Sequence, residues 1–154
     1  TVWRVSDDEG LLFAVKEGGH VDEWDESEGR WMPIPFIGAD PGWRGRCGAG
    51  CAVVDGKLYV AGRFTANDRA RGFFSFKAYD PSSLAWTNLP PMNVPRSLKA
   101  ASLRDELFVF ETDEYGSRTP FVAQIGVFNP KRQSWRNMAS WSLSKPTRCD
   151  AVAA

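Results

Sequence analysis

Three short apolar runs punctuate the chain: Leu11 to Val15 (LLFAV), Leu58 to Ala61 (LYVA) and Leu107 to Phe110 (LFVF). Runs this short, flanked by turn residues and lacking a 3.6-residue period with caps, predict buried β-strands and almost no helix. A charged turn precedes each run, Asp7-Asp8-Glu9-Gly10, Asp55-Gly56-Lys57 and Arg104-Asp105-Glu106. Asp55-Gly56 is the strongest hairpin signal of the three, because a two-residue turn of the favoured type needs positive φ at both central positions. Upstream of these turns lie strands of smaller residues, Gly50 to Val54 and Ala100 to Leu103, with Val2 to Ser6 a bulkier version. Small side chains suit a strand crowded against its counterparts, as at the axis of a radial array.

Downstream of each run an aromatic pair recurs with six residues between: Trp24 and Trp31, Tyr79 and Trp86, Phe128 and Trp135. An Asp or Asn follows the first aromatic each time (Asp25, Asp80, Asn129), so each pair predicts a hairpin whose turn is built by that side chain. The second aromatics stand 55 and 49 residues apart, and self-similarity on that scale is the signature of a repeat architecture. The repeating unit is small inner strand, apolar second strand, third strand ending in an aromatic, and outer strand opening near Trp. That is the blade of a β-propeller. The expected fold is all-β, with blades over about 2–35, 47–90 and 100–140. An extra strand is expected over 147–154, because Arg148 to Ala154 repeats the pattern of Arg46 to Ala52.

These residues resemble the kelch-repeat family, whose signature is a glycine pair after the second strand, then Tyr and Trp six residues apart, then Leu-Pro-x-Met and an Arg. The second unit matches it from Leu58 to Arg96, with Gly62 present and Arg63 in the place of the second glycine. The third unit has Phe110-Glu111 at the glycine position, and the first has Gly18-Gly19 displaced by a short loop. The first and third units also look similar to plant proteins that join an F-box to kelch repeats. That resemblance implies a protein-interaction module, the substrate-recognition part of a ubiquitin-ligase adaptor; an intracellular setting is expected from the cysteines, an odd number without repeating spacing. Other kelch propellers are epimerases or redirect hydrolysis products, so the alternative implied is an enzyme or small-molecule binder at the channel mouth. Copper oxidases of the family use Tyr and His ligands, which the single His20 cannot supply. Three blades do not close a ring; either a longer chain or a second copy completes it, and the repeat cut short at the C-terminus favours the longer chain.

Charge and cysteine content narrow the partners. Lys plus Arg and Asp plus Glu are both 19, which gives no argument for nucleic acid or an anionic membrane. No apolar run approaches the roughly 18 residues of a spanning helix. Cys47, Cys51 and Cys149 share no repeating spacing, which argues against a disulfide framework and for reduced, buried thiols. Asp22, Glu23, Asp25, Glu26 and Glu28 read as a solvated turn. No metal site or cofactor is expected.

Antiparallel alternation sorts the connections. Tight turns fall on one edge of the blades; the long loops Pro35 to Arg46, Arg63 to Gly72, Pro90 to Arg96, Thr112 to Pro120 and Ala139 to Thr147 fall on the other. Eight of 13 arginines lie in these loops or at their borders. Arg pairs its donor fork with carboxylates and stacks its plane on aromatics. Arg44, Arg46, Arg63, Arg96, Arg118 and Arg148, with Trp43 and Trp141 as aromatic anchors, are therefore the expected contacts for an acidic peptide or protein. The competing expectation is that these arginines pair with nearby carboxylates such as Asp40 and Asp113, and that the two Trp pack beneath the loops.

Overall fold

A computed structural model describes residues 2–6, 10–16, 19–35, 37, 50–64, 73–91, 98–111, 121–138 and 141–143. All regular structure among them is β. The first sheet runs β1 (Val2–Ser6), β2 (Leu12–Lys16), β3 (Val21–Asp25), β4 (Arg30–Pro33), each strand beside its sequence neighbour. The second repeats that order with β5 (Gly50–Val54), β6 (Lys57–Phe64), β7 (Phe73–Asp80) and β8 (Ala85–Asn88). The third comprises β9 (Leu98–Leu103), β10 (Glu106–Glu111), β12 (Ile125–Asn129) and β13 (Ser134–Asn137). A two-stranded sheet of β11 (Phe121–Ala123) and β14 (Trp141–Leu143) extends the third unit, with Ala123 opposite Trp141. Every pairing is antiparallel, as expected of four-stranded propeller blades.

Two expected loops differ from what is observed. Trp141 stands in strand β14 rather than in a blade-to-blade loop, because residues 121–123 supply the backbone partners that satisfy it. Arg63 also lies within a strand, opposite Phe74, since β6 and β7 stay paired out to Phe64 and Phe73. The expected extra strand over 147–154 falls outside the described residues.

The hairpin between third and outer strands is built alike in all three blades. The first aromatic sits directly across from the Trp: Trp24 from Trp31, Tyr79 from Trp86, Phe128 from Trp135. Their ring centroids are 5.3, 5.3 and 5.1 Å apart. The next residue's side-chain oxygen then closes the turn. Asp25 accepts from the Ser27 and Glu28 amides, Asp80 from the Ser82 amide and Asn129 from the Arg132 amide, all at 2.9–3.1 Å. Two residues before each Trp the backbone turns left-handed, at Gly29 (φ 62°), Leu84 (φ 53°) and Gln133 (φ 50°). One hydrogen bond then carries the pairing past the outer strand: Ile34 N–H to Val21 O, Leu89 N–H to Phe76 O and Met138 N–H to Ile125 O, at 2.9–3.1 Å.

The inner strands crowd together, β5 lying against both β1 and β9. A Cβ at Gly50 would come within 2.9 Å of the Lys99 carbonyl carbon and 3.0 Å of Ala100 N and Cβ. Hydrogen alone fits there, which is why the inner strands carry small residues.

Blade 2 is consequently apolar on both faces. Toward blade 1 it presents Leu58, Val60, Tyr79 and Trp86, which meet Phe13, Val15, Val21 and Ile37. Toward blade 3 it presents Tyr59, Ala61, Phe76 and Ala78, which meet Leu98, Leu107, Val109 and Phe128. Alternation along each strand makes this possible, since residues one apart face opposite sides. Two apolar layers between three sheets are the core, and they fix the blades as one scaffold.

Candidate functional site

Strand order dictates where the connections emerge. The tight turns at residues 26–29, 55–56, 81–84, 104–105 and 130–133 lie on one edge of the scaffold. The connections β4–β5, β6–β7, β8–β9 and β10–β11 leave from the other. Arg63 near the end of β6, and the β11–β14 ribbon that holds Trp141, belong to that second edge. Trp43, Arg44, Arg46, Arg96, Arg118 and Arg148 lie outside the described residues.

At the tight-turn edge a cleft of about 200 Å³ opens between blades 2 and 3, lined by Asp55, Lys57, Tyr59, Ala78, Asp80 and Lys131 among others. It exists because Ala78 is small; the same position holds Glu23 in blade 1 and Val127 in blade 3. Its cations are held by carboxylates, Lys57 by Asp80 at 3.1 Å and Lys131 by Asp105 at 3.5 Å. The Ser82 hydroxyl, 2.6 Å from Asp80, and then Lys57 hold the Asp80 carboxyl down to about 2. Burial, reinforced by the charges of Asp55 and Asp80, pushes the Tyr59 phenol up. The acid is lowered and the phenol raised, so neither exchanges a proton near neutral pH. The cleft sets the Tyr59 side chain beside these paired charges. The sequence signal for it was the single alanine before Tyr79, legible only once the facing blade is known.

The other expected groups are dispersed. His20 is exposed beside the β2–β3 turn. Asp22 pairs with Lys16, Asp25 closes its turn, and Glu26 and Glu28 are exposed. Burial, then the charge of Asp25, pushes the Glu23 carboxyl up. Burial likewise pushes the Cys51 thiol up to about 12, against a weaker pull from Lys99. A thiol so held stays protonated near neutral pH. Cys47 and Cys149 lie outside the described residues. Among the described residues no cluster of three or more His, Cys, Asp or Glu is placed to hold a metal, and no helix is long and apolar enough to cross a membrane.

A link that sequence reading missed joins the blades. The Trp86 indole N–H donates to the Pro35 carbonyl, and the Trp135 indole N–H to the Pro90 carbonyl, both at 2.7 Å. Each acceptor lies four residues after the Trp of the preceding blade. Trp86 and Trp135 therefore each pack on their own hairpin and tie it to the blade before.

This unit of inner strand, apolar strand, aromatic pair and Trp link has a counterpart among protein-family models. The model described as "Kelch motif" matches residues 45–93. Those residues are a kelch motif. The match spans blade 2, and the strand register carries the same construction into blades 1 and 3. No curated protein sequence matches the chain. Among solved structures, one titled "Structure of YjhT" superposes with a TM-score of 0.62 at 14% identity, over 87% of this chain and 50% of that one. The chain thus spans about half the length of that neighbour. Identity this low shows the fold alone, and the fold is a run of kelch-type propeller blades.

Proposed function

We propose that this kelch module binds a protein or peptide partner across the edge from which its long connections emerge. One observation carries the reading: the packed blades send the tight turns at 26–29, 55–56, 81–84, 104–105 and 130–133 to one edge, and the longer β4–β5, β6–β7, β8–β9 and β10–β11 connections, with the four-residue β2–β3 turn, to the other. Long loops on a rigid scaffold are the usual seat of recognition. The arginine content of those connections argues for an acidic partner, with Arg44, Arg46, Arg63, Arg96, Arg118 and Arg148 as ionic contacts and Trp43 and Trp141 as anchors. Arg46 and Arg96 precede the inner strands β5 and β9, so a carboxylate-rich segment would be gripped near the axis. The setting we propose is intracellular, as the substrate-recognition part of a ubiquitin-ligase adaptor.

The test is capture of an arrayed library of acidic peptides by the wild-type chain and by an Arg46→Ala/Arg96→Ala variant. Loss of two charge-assisted contacts is expected to weaken capture by roughly 30-fold or more, with stronger salt dependence in the wild type. Equal capture by both proteins overturns the reading.

A further inference from the structure

At the tight-turn edge, the boundary between blades 1 and 2 and the cleft between blades 2 and 3 are built from equivalent positions that hold contrasting residues. Strand register sets the equivalences. Glu23, in register with Phe13 and Met32, stands where Ala78 stands between Tyr59 and Thr87. Two residues before that second-strand aromatic, blade 1 has Leu11 and blade 2 has Lys57. Two residues after the turn-closing Asp80 and Asn129 come Ser82 and Lys131. At the first boundary, then, both lysine positions are neutral and a carboxylate is built in. Glu23 lies near enough to Tyr79 for its charge to add to burial in pushing that phenol up. At the second boundary Ala78 and Thr87 replace the longer glutamate and methionine, and the cleft of about 200 Å³ opens over them.

The cleft thus has two cations that the first boundary lacks, and lacks the carboxylate that the first boundary has. Both cations keep donors to spare. An ammonium carries three, and Lys57 is paired with Asp80 at 3.1 Å and Lys131 with Asp105 at 3.5 Å. The Lys131 pair is largely exposed on both sides, so it is loosely held. Asp55 and Asp80 also border the cleft and would repel a second carboxylate. The volume is below the roughly 300–1,000 Å³ of pockets for drug-sized ligands.

From this exchange we infer that the cleft binds a small free organic acid with one carboxylate, about the size of a glutamate side chain, seated over Ala78 beside Tyr59 with its oxygens on Lys57 and Lys131. The long connections leave from the opposite edge, so nothing here is built to hold an extended chain. The partner proposed above binds that opposite edge, and either reading can fail alone.

The experiment is a titration of the 154-residue chain with sodium propionate at constant ionic strength, followed by backbone amide NMR, with sodium chloride as the control. Saturable shifts centred on residues 55–57, 78–80 and 130–133 are expected, at the millimolar affinity of so small a ligand. Three variants borrow residues from the equivalent positions. Lys57→Leu and Lys131→Ser should each weaken binding about tenfold, the loss of one charge-assisted contact. Ala78→Glu should abolish it by placing the chain's own carboxylate in the cleft. Lys131→Ser changes only an exposed turn residue, so the test stands even if Ala78→Glu fails to fold. Glutarate should bind no more tightly than propionate. Absence of saturable shifts overturns the inference, as does binding that neither lysine substitution weakens. Tighter binding of inorganic phosphate overturns the choice of a carboxylate, and tighter binding of a glutamate blocked at both ends as a peptide overturns the choice of a free acid.

Discussion

The interface between blades 1 and 2 and the interface between blades 2 and 3 share one skeleton and differ in where they put a hydroxyl. Both have an aromatic on the second strand of the earlier blade, an aromatic on the third strand of the later blade, and the indole-to-carbonyl link. Between blades 1 and 2 the pair is Phe13 and Tyr79, edge to face at 6.2 Å; between blades 2 and 3 it is Tyr59 and Phe128, also 6.2 Å apart. The Tyr59 side chain borders the polar cleft, whereas the Tyr79 hydroxyl is buried with no hydrogen-bond partner. Main-chain geometry and the Trp link are therefore the repeated requirement. The hydroxyl is a variable that one interface tolerates at a cost.

The strongest way to break the symmetry is at the axis. Gly50→Val is expected to damage only the contact between blades 2 and 3, because the added carbons meet Lys99 and Ala100 of β9, backbone that cannot move aside singly. Overpacking of this kind costs on the order of 3 kcal/mol. Chemical denaturation should show the loss, and hydrogen exchange should show protection falling first in β5 and β9. Unchanged stability would mean that the inner strands slide apart freely.

Next in size are the two links. Trp86→Phe and Trp135→Phe each keep most of the ring contact and leave the Pro35 or Pro90 carbonyl without its donor. Each should cost about 1–2 kcal/mol, and by similar amounts. A large inequality between them, measured by urea unfolding, would show that one interface carries more of the stability than their shared geometry implies.

How far the sequence revealed this follows from the reach of each feature. The hairpins were legible at Asp25, Asp80 and Asn129, because a side chain that closes its own turn needs nothing distant. Gly50 and its small neighbours were legible as a crowded strand from their size alone, although the backbone that crowds Gly50 belongs to β9 of the next blade. The Trp-to-proline link was not, since its acceptor is a backbone carbonyl 51 or 45 residues away, and any residue has one. β11 and β14 escaped notice because three-residue strands leave no period to read. The cleft depends on Ala78 facing a turn of the next blade, a fact of register and not of composition. The arginines of the long connections were visible as a group, and their grouping remains the ground for the proposed partner.

The hydroxyl itself gives a sharper and smaller test. Tyr79→Phe removes a buried oxygen that has no partner and keeps the ring, as Phe128 does at the equivalent place. It is expected to raise stability by about 1 kcal/mol, a rise of roughly 2–4 °C in the unfolding midpoint. Tyr59→Phe, at the edge of a polar cleft, should give no gain. A destabilised Tyr79→Phe protein would show that the hydroxyl is satisfied in solution, by water or by Glu23.

The smallest expected effect concerns charge at the same edge. Asp80 titrates near 2 in the folded chain, below the ordinary carboxylate value of 3.8, because the Ser82 hydroxyl and Lys57 favour its ionised form. A folded value below the unfolded one means that the carboxylate stabilises the fold above pH 4, and that this contribution is lost as pH falls from about 4 to 2. Asp80→Asn keeps the turn-closing oxygen, as Asn129 does in blade 3, and removes the titration. Thermal unfolding between pH 5 and pH 2 should therefore decline less steeply in the variant, with a modest difference because the group is exposed and screened. Parallel declines would assign the acid sensitivity of this edge to other carboxylates, with Asp80 acting only through the geometry of its turn.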